Sequence, residues 1–230
     1  MLARSLPLSL TVALLACSAA PSPEGAATPA PGAPASPSPS SSGSSPAPGP
    51  AAEAGAPARD ELVDERDAQR YPLVDVGGAR WLGKNLAYAA SGSFCYDDAP
   101  ASCERDGRLY TFAAATTACP EGWHLPSDDE WKALERALGM ASAEAEREGY
   151  EVARGTDEGA QLKAGPLGAR LAGFRTGATY EARGERAYFW TSTRRGQEVW
   201  RRRVTAAAPT IFRFTNPTAS FAISVRCVEG

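Results

Sequence analysis

The sequence predicts an α+β domain at residues 67–230 behind a disordered N-terminal tether, and three patterns support this prediction. Ser127 and Glu130 match the capping box S-x-x-E, which marks the start of a helix. Residues 221–228 alternate between two sets of side chains with the period of a β-strand that has one face on a core. Residues 18–59 consist almost entirely of Ala, Pro, Ser and Gly, which cannot bury enough apolar surface to fold.

Residues 1–16 have the features of a secretory signal peptide, because Arg4 precedes an apolar stretch that is too short to span a bilayer. The stretch ends in Leu-Leu-Ala-Cys17, which resembles a bacterial lipobox and implies that Cys17 receives a diacylglyceryl group. Ser18 at the next position resembles the pattern of lipoproteins that are sorted to an outer membrane. The alternative is cleavage at an ordinary small-residue site, which would leave the chain without a lipid.

Residues 17–66 are interpreted as the lipidated cysteine and a flexible linker. The only charges within residues 18–59 are Glu24, Glu53 and Arg59, and a flexible coil of this length spans roughly 35 Å. The linker is therefore expected to hold the folded domain clear of a membrane.

The first half of the domain is predicted to contain a hairpin and two helices. Gly77 and Gly78 separate two apolar stretches at residues 71–76 and 79–82, and two glycines suit a two-residue hairpin turn. A short strand at residues 107–110 precedes a helix at residues 112–118 with Thr111 as its N-cap. The second helix begins at Asp128, after the capping box, and its apolar face contains Trp131, Leu134 and Leu138.

The second half divides into a loosely patterned segment and a series of strands. Residues 139–186 are rich in polar residues and glycine, so we predict a long, mostly irregular excursion with one short helix near residues 143–148. Four strands are predicted to follow, at residues 187–193, 198–204, 210–214 and 220–228. In the last strand Cys227 is expected to point toward the core, whereas Arg226 belongs to the opposite face.

Several of these stretches together resemble a known family. They are C-P-E-G-W-H-L-P-S-x-x-E-W at 119–131, G-R-L-Y-T at 107–111, F-W-T-S-T at 189–193 and S-V-R-C-V at 224–228. In these motifs the chain is similar to the Fibrobacter succinogenes major paralogous domain family, over about residues 67–228. That family is similar, more distantly, to the formylglycine-generating sulfatase-modifying enzymes. The resemblance implies a C-type-lectin-like domain with two helices and a mostly antiparallel, irregular sheet.

The cysteines are expected to form two disulfides. Of the five cysteines, lipidation of Cys17 leaves four in an exported chain, and four cysteines allow three pairings. Cys95 and Cys103 lie in one local loop, while Cys119 and Cys227 are placed like the long-range bridge of C-type-lectin-like domains. The resemblance therefore implies Cys95–Cys103 and Cys119–Cys227. This pairing leaves no free thiol for the oxidase chemistry of the formylglycine-generating enzymes.

The remaining polar residues predict no catalytic centre, metal site or cofactor. His124 is the only histidine, which excludes an iron site of two histidines and one carboxylate within one chain, so a structural role is expected. Asp97, Asp98 and Asp106 could supply oxygen ligands to calcium, but acidic turns that solvate a disulfide loop are more common.

The three arginines at residues 201–203 form a basic run. Strand alternation places Arg201 and Arg203 on the face opposite Trp200, and that face is expected to be solvated. The net charge of −3 gives no reason to expect nucleic acid as a partner.

These observations predict a non-catalytic cell-envelope lipoprotein, anchored in the outer membrane and facing the periplasm or the cell surface. Its domain is expected to bind a polysaccharide, the cell wall or a protein. Tyr150, Phe174 and Tyr180 in the 139–186 excursion are the candidate ligand contacts, because aromatic rings suit sugar stacking or a partner's pocket. Alternatively, these rings pin the loop to the domain, and the excursion is a variable insertion. An enzyme related to the formylglycine-generating oxidases and a purely structural envelope protein are the other functions considered.

Overall fold

The computed structural model of the protein describes residues 60–230, so Cys17 and the predicted tether up to residue 59 lie outside the described residues. The described strands are β1 (Glu61–Val63), β2 (Arg70–Val76), β3 (Ala79–Leu82), β4 (Ser93–Phe94), β5 (Leu109–Thr111), β6 (Trp123–His124), β7 (Ala153–Arg154), β8 (Phe174–Thr176), β9 (Thr179–Glu181), β10 (Arg186–Arg195), β11 (Glu198–Thr205), β12 (Ile211–Pro217), β13 (Phe221–Ser224) and β14 (Val228–Glu229). The described helices are α1 (Pro100–Asp106), α2 (Phe112–Ala115), α3 (Asp128–Ala137), α4 (Ser142–Glu146) and α5 (Glu158–Ala164), and a 3-10 turn covers Tyr96–Asp98.

The strands form two sheets. The smaller sheet has the order β1-β2-β3-β14-β6. The larger has the order β4-β5-β13-β10-β11-β12-β7, and β8 joins it by pairing with β13 on one side and β9 on the other. Among the described strands every pairing is antiparallel except that of β10 with β13, where Phe189 lies opposite Ser224. The α+β class with a mostly antiparallel sheet is therefore confirmed.

The predicted hairpin is present and positions helix α3. Val76 of β2 pairs with Ala79 of β3, and Gly77 and Gly78 both have positive φ angles. A Cβ atom at Gly77 would lie 2.8 Å from the backbone nitrogen of Leu134, so the turn packs directly on α3. Only glycine fits both the angle and this approach.

Strand β1 lies ahead of the boundary predicted at residue 67. It pairs with β2, with Leu62 opposite Tyr71, and Leu62 packs against the core. The connection to β2 is held by the buried carboxylate of Asp64, which accepts from Arg66 Nη2 at 2.7 Å. Arg66 also donates to the carbonyl oxygen of Ala118 at 2.9 Å, which fastens the start of the domain to the segment before the long disulfide.

Both predicted helix starts are confirmed. The Thr111 side chain accepts from Ala114 N, so α2 begins at Phe112, although it ends at Ala115 and not at residue 118. In α3 the Ser127 hydroxyl accepts from Glu130 N at 3.2 Å, and the Glu130 carboxylate accepts from Ser127 N at 2.7 Å.

The 139–186 segment contains more regular structure than predicted. It holds α4, β7, α5, β8 and β9, although only the short helix at α4 was predicted. Helix α5 approaches the larger sheet so closely that a Cβ atom at Gly159 would lie 2.2 Å from the carbonyl oxygen of Thr210. Leu162 of the same helix is buried in the apolar cluster that contains Ile211 of β12, so tertiary packing stabilises an element with weak local periodicity.

The prediction of one strand with one solvated face at residues 220–228 is wrong. The segment divides into β13 in the larger sheet and β14 in the smaller sheet. Because it passes between the two sheets, both of its faces are covered, and Ser224 and Arg226 are as deeply buried as Ile223. Cys227 is buried, as predicted.

The core lies on both faces of strands β10, β11 and β12. Tyr188 and Trp190 belong to one apolar cluster, whereas Ala187 and Phe189 belong to the other, as strand alternation requires. Trp131 of α3 packs in the second cluster, with its ring centroid 5.4 Å from that of Phe189.

The expectation of a solvated arginine face on β11 is wrong. Arg201, Arg202 and Arg203 are exposed by only 2, 0 and 4 %. Alternation separates Arg202 from the other two, but both faces of the strand are covered. Tyr150 lies over Arg203 on one face, and α3 covers Arg202 on the other.

Arg202 belongs to a buried ion network that joins α3 to the sheet. It donates to Asp128 Oδ1 at 2.7 Å and to Glu135 Oε1 at 2.5 Å. Arg154 of β7 donates to Glu135 at 2.9 Å, and Arg213 of β12 donates to Asp128 at 2.6 Å. Burial alone would raise the pKa of Asp128, but the hydrogen bonds and charges of Arg213 and Arg202 outweigh it and lower the pKa.

Candidate ligand-binding site

The four cysteines of the described residues form the two predicted disulfides. Cys95 is bonded to Cys103, with their Cα atoms 5.0 Å apart, and Cys119 is bonded to Cys227, with their Cα atoms 5.8 Å apart. The long bridge joins the segment after α2 to the segment between β13 and β14. Within residues 60–230 no thiol is therefore available as a nucleophile or a soft metal ligand.

His124 has a hydrogen-bonded structural role, as predicted, and its partner is the Glu130 of the capping box. Its Nε2 lies 2.8 Å from Glu130 Oε1, and Glu130 Oε2 accepts from Ser127. Burial raises the pKa of Glu130, but the hydrogen bonds from Ser127 and His124 outweigh it, so the pKa lies below its ordinary value.

Two of the three aspartates that were considered for calcium are bonded to separate partners. Asp98 accepts from the hydroxyl of Tyr180 at 2.6 Å, and Asp106 accepts from Arg183 Nε at 2.9 Å. In the described part of the chain no three His, Cys, Asp or Glu side chains are grouped in a way that could hold a metal ion.

A pocket with aromatic walls, called the aromatic pocket below, lies where the 139–186 segment crosses the larger sheet. Its volume is about 140 Å³, close to the roughly 150 Å³ of an apolar cavity that can hold benzene, so it accommodates one six-membered ring. Its walls are Tyr150, Phe174, Tyr188, Arg201, Phe214, Asn216, Phe221 and Ile223.

Tyr150 forms the outer wall of the aromatic pocket. Its ring packs edge-on against Phe214 at 4.9 Å, and its hydroxyl lies 3.4 Å from that of Tyr188. Arg203 holds it from behind, with the guanidinium carbon 4.4 Å from the ring centroid and Nη2 donating to the Tyr150 carbonyl at 2.7 Å. Tyr150 nevertheless remains 45 % exposed, so its ring is held in place and is accessible to a ligand.

Arg201 places a buried positive charge in the wall. Its guanidinium carbon lies 4.1 Å from the ring centroid of Trp190 and 4.8 Å from that of Phe221. Nη2 donates to the carbonyl of Pro217, but Nε has no hydrogen-bond acceptor within residues 60–230. Burial lowers the pKa of Arg201 to about 10, although the neighbouring Tyr188 and Glu198 partly oppose this shift. The guanidinium is thus poorly solvated by the protein.

A wider depression, called the arginine cleft below, adjoins the aromatic pocket through the shared side chain of Phe221. Its volume is about 400 Å³. Arg175 stacks on Phe94 at 3.9 Å, and its Nε is buried without an acceptor among the described residues. Arg194 is exposed and stacks on Phe112 at 4.6 Å. The cleft is lined by Thr111, Phe112, Ala113, Thr116, Arg175, Gly177, Arg194, Thr218, Ser220, Phe221 and Ala222.

The three predicted ligand contacts do not lie at one place. Tyr150 and Phe174 meet in the aromatic pocket, where Phe174 packs edge-on against Tyr188 at 5.3 Å. Tyr180 lies outside it, with its ring 5.2 Å from that of Tyr96 and 5.7 Å from the guanidinium of Arg175. Tyr180 therefore lies near Arg175 of the arginine cleft but lines neither depression.

Sequence reasoning missed the other walls of the aromatic pocket. Tyr188 and Phe214 lie on predicted strands whose faces were not assigned, and alternation assigned Phe221 to the core. The available signal was the position of two charged residues, Arg201 and Arg203, on the strand face that also carries Val199.

The family model of the Fibrobacter succinogenes major domain matches residues 74–229, and the chain therefore belongs to this family. Comparison with curated proteins and with solved structures finds no match. None of the helices within residues 60–230 is long and apolar enough to cross a membrane.

Proposed function

We propose that this family member is a non-catalytic binding module of the bacterial cell envelope and that the aromatic pocket is its ligand site. The observation that carries the proposal is the accessible aromatic wall. Tyr150 is 45 % exposed although three neighbours hold it, and Phe174 beside it is only half-buried. Partly exposed rings around a ring-sized pocket suit stacking on a sugar or burial of a partner's side chain.

We also propose that the module does not catalyse a reaction. The state of the side chains that usually carry catalysis supports this part of the proposal. The cysteines of the described residues are paired, which removes the reactive thiols that a formylglycine-type oxidase requires. His124 is occupied by the capping box and lies on a different element from the pocket walls. Among the described residues, no Asp, Glu, His or Cys side chain lines the aromatic pocket, so its lining offers no carboxylate, imidazole or thiol for acid–base or nucleophilic catalysis.

We place the module at the outer membrane, facing the periplasm or the cell surface, with Cys17 carrying the lipid and residues 18–59 acting as the tether. The lipobox-like end of the signal peptide and the composition of the tether support this placement. A C-type-lectin-like fold with a distant relationship to the sulfatase-modifying enzymes is proposed as well. The long disulfide near the chain end and the pairing of β14 with β3 support that relationship.

The test begins with a binding screen of the full chain against polysaccharides, cell-wall fragments and envelope proteins. The key variant is Tyr150→Ala, because its ring is already half exposed and its loss should disturb packing little. With the ligand from the screen, we expect affinity to fall by about 1–2 kcal/mol, roughly five- to thirtyfold. Tyr88→Ala is the matched control, since Tyr88 is a partly exposed tyrosine outside the pocket, under Arg66.

Melting temperatures separate binding from packing. If Tyr150→Ala lowers the melting temperature strongly and leaves affinity unchanged, the ring pins the loop and the proposed site is wrong. If Tyr88→Ala weakens binding equally, the ligand is not met by the aromatic pocket.

A further inference from the structure

We propose that the ligand is an anionic polysaccharide, which carries carboxylate or sulfate groups and runs from the aromatic pocket across Phe221 into the arginine cleft. This inference rests on the proposed binding function and names its ligand class. It is carried by the charges, sizes and lining of the two adjoining depressions.

The charges around the two depressions have one sign. Arg201 lines the aromatic pocket, and Arg175 and Arg194 line the arginine cleft. No aspartate or glutamate lines either depression in the described part of the chain. This positive surface contrasts with a chain whose net charge is −3, so it does not follow from overall composition. A local excess of one charge favours a ligand of the opposite charge.

One arginine of each depression has a buried nitrogen that the described part of the protein leaves without a hydrogen bond. Arg201 and Arg175 each have a buried Nε without an acceptor among residues 60–230. Glu198 is the acid whose charge acts on Arg201. Its carboxylate accepts from the Thr215 hydroxyl and lies 4.0 Å from Arg195, so it is shared with other partners. A buried guanidinium without a counterion is costly, and an anionic ligand would offset that cost.

The sizes fit a chain of sugar rings better than one small acid. The aromatic pocket of about 140 Å³ holds one six-membered ring, and the arginine cleft of about 400 Å³ has room for roughly two more. Because both depressions share Phe221, one oligomer can occupy them together. Negative groups on successive rings would then meet Arg201 first and the two cleft arginines next.

The lining of the cleft favours a sugar over a peptide. The lining combines the hydroxyl residues Thr111, Thr116, Thr218 and Ser220 with the rings of Phe112 and Phe221. A lining that combines hydroxyl groups with aromatic faces suits the polar edges and apolar faces of a pyranose. An acidic peptide that meets the same arginines is the competing ligand, and the poly-L-glutamate arm of the experiment below distinguishes it.

The experiment measures retention of the full chain in affinity electrophoresis through polygalacturonate, dextran sulfate, uncharged dextran and poly-L-glutamate. We expect retention by at least one of the two anionic polysaccharides, with the carboxylate and sulfate arms deciding which group is preferred. Retention should weaken as salt rises, because the contacts are charged and partly exposed. Dextran and poly-L-glutamate should retain the protein weakly or not at all.

Two arginine variants test the cleft itself. Arg194→Gln should weaken retention about two- to fivefold, because it removes one exposed charge contact. Adding Arg175→Gln should bring the loss to roughly tenfold or more, since Arg175 is partly buried. Arg136→Gln is the matched control, because Arg136 is an exposed arginine on α3, which packs on the opposite face of the sheet.

The outcomes separate this inference from the proposed function. If Arg136→Gln and Arg194→Gln weaken retention equally, the binding is general charge attraction and the inference is overturned. The same conclusion follows if poly-L-glutamate retains the protein as strongly as the anionic polysaccharides do. Binding of an uncharged or protein ligand that Tyr150→Ala weakens would overturn the anionic class and leave the binding function standing. Melting temperatures of Arg194→Gln should match the wild type, since that side chain is exposed.

Discussion

Replacement of Glu135 by glutamine removes the carboxylate that joins helix α3 to two strands while conserving the volume of the side chain. Glu135 is fully buried and accepts from Arg154 at 2.9 and 3.0 Å and from Arg202 at 2.5 Å. In the variant Arg202 keeps Asp128, but Arg154 keeps only acceptors such as the carbonyl of Ala145 at 3.1 Å. The substitution therefore leaves a fully buried cation without a counterion.

The expected cost follows from that unpaired charge. Breaking a buried ion pair by removing one partner costs about 3–5 kcal/mol. The amide oxygen of glutamine can still accept one hydrogen bond, so we expect a loss near the lower limit, about 3 kcal/mol. For a domain of this size the melting temperature should fall by roughly 6–12 °C.

Thermal and urea unfolding of the oxidised full chain, followed by circular dichroism, measures the effect. Glu144→Gln is the matched control, because Glu144 forms a partly exposed pair with Arg147 at 2.9 Å, and its loss should cost less than about 0.5 kcal/mol. A loss below about 1 kcal/mol in Glu135→Gln, or a loss no larger than that of the control, would refute the conclusion that this network fastens α3 to the sheet.

Three further outcomes are expected. Removal of the Cys119–Cys227 bridge by a double Ala substitution should destabilise the domain by about 4–5 kcal/mol, because the bridge spans 108 residues; urea unfolding showing under 1 kcal/mol would contradict this. Because the pKa of Asp128 is lowered in the folded state, its ionised carboxylate stabilises the fold fully above the ordinary pKa of 3.8, and this stabilisation is lost as pH falls through the folded-state pKa. Asp128→Asn should therefore flatten the acid side of a curve of unfolding free energy against pH. An unchanged curve would exclude this role for Asp128. Cys17→Ser should move the protein from the detergent phase to the aqueous phase in phase partitioning, and identical partitioning of both forms would exclude lipidation at Cys17.

The features that could be predicted from the sequence depend on local chemistry. The capping box at Ser127 and the Gly77-Gly78 turn are specified by residues within four positions of each other, and both are present. The disulfide pairing came from the family resemblance, and it is also present. The family match over residues 74–229 agrees with the motifs that indicated it.

The features that were mispredicted depend on which segments cover a strand. Alternation correctly separated Arg202 from Arg201 and Arg203, but it cannot show that Tyr150 and α3 cover both faces. The partners of Arg202 were nonetheless recognisable. Asp128 and Glu135 are seven residues apart on a helix, hence on one face, and they share that face with the core residue Trp131.

The candidate site was only partly predictable for the same reason. Tyr150 and Phe174 were identified as unusual aromatic residues in a glycine-rich segment, and both line the aromatic pocket. The arginine cleft was not foreseen, because Arg175 and Arg194 are far apart in sequence and are brought together only by the packing of β8, β10 and β13.

The most direct test of the binding site is chemical-shift mapping by NMR on the isotope-labelled full chain as a short polygalacturonate oligomer is added. We expect saturable shifts at Tyr150, Phe221 and the Arg194 side chain, with little change at Arg136 on the opposite face. Saturable shifts that cluster elsewhere, for example around the Gly77-Gly78 turn, would contradict the account. The absence of any shift at Phe221, in a sample that binds the oligomer, would contradict it equally.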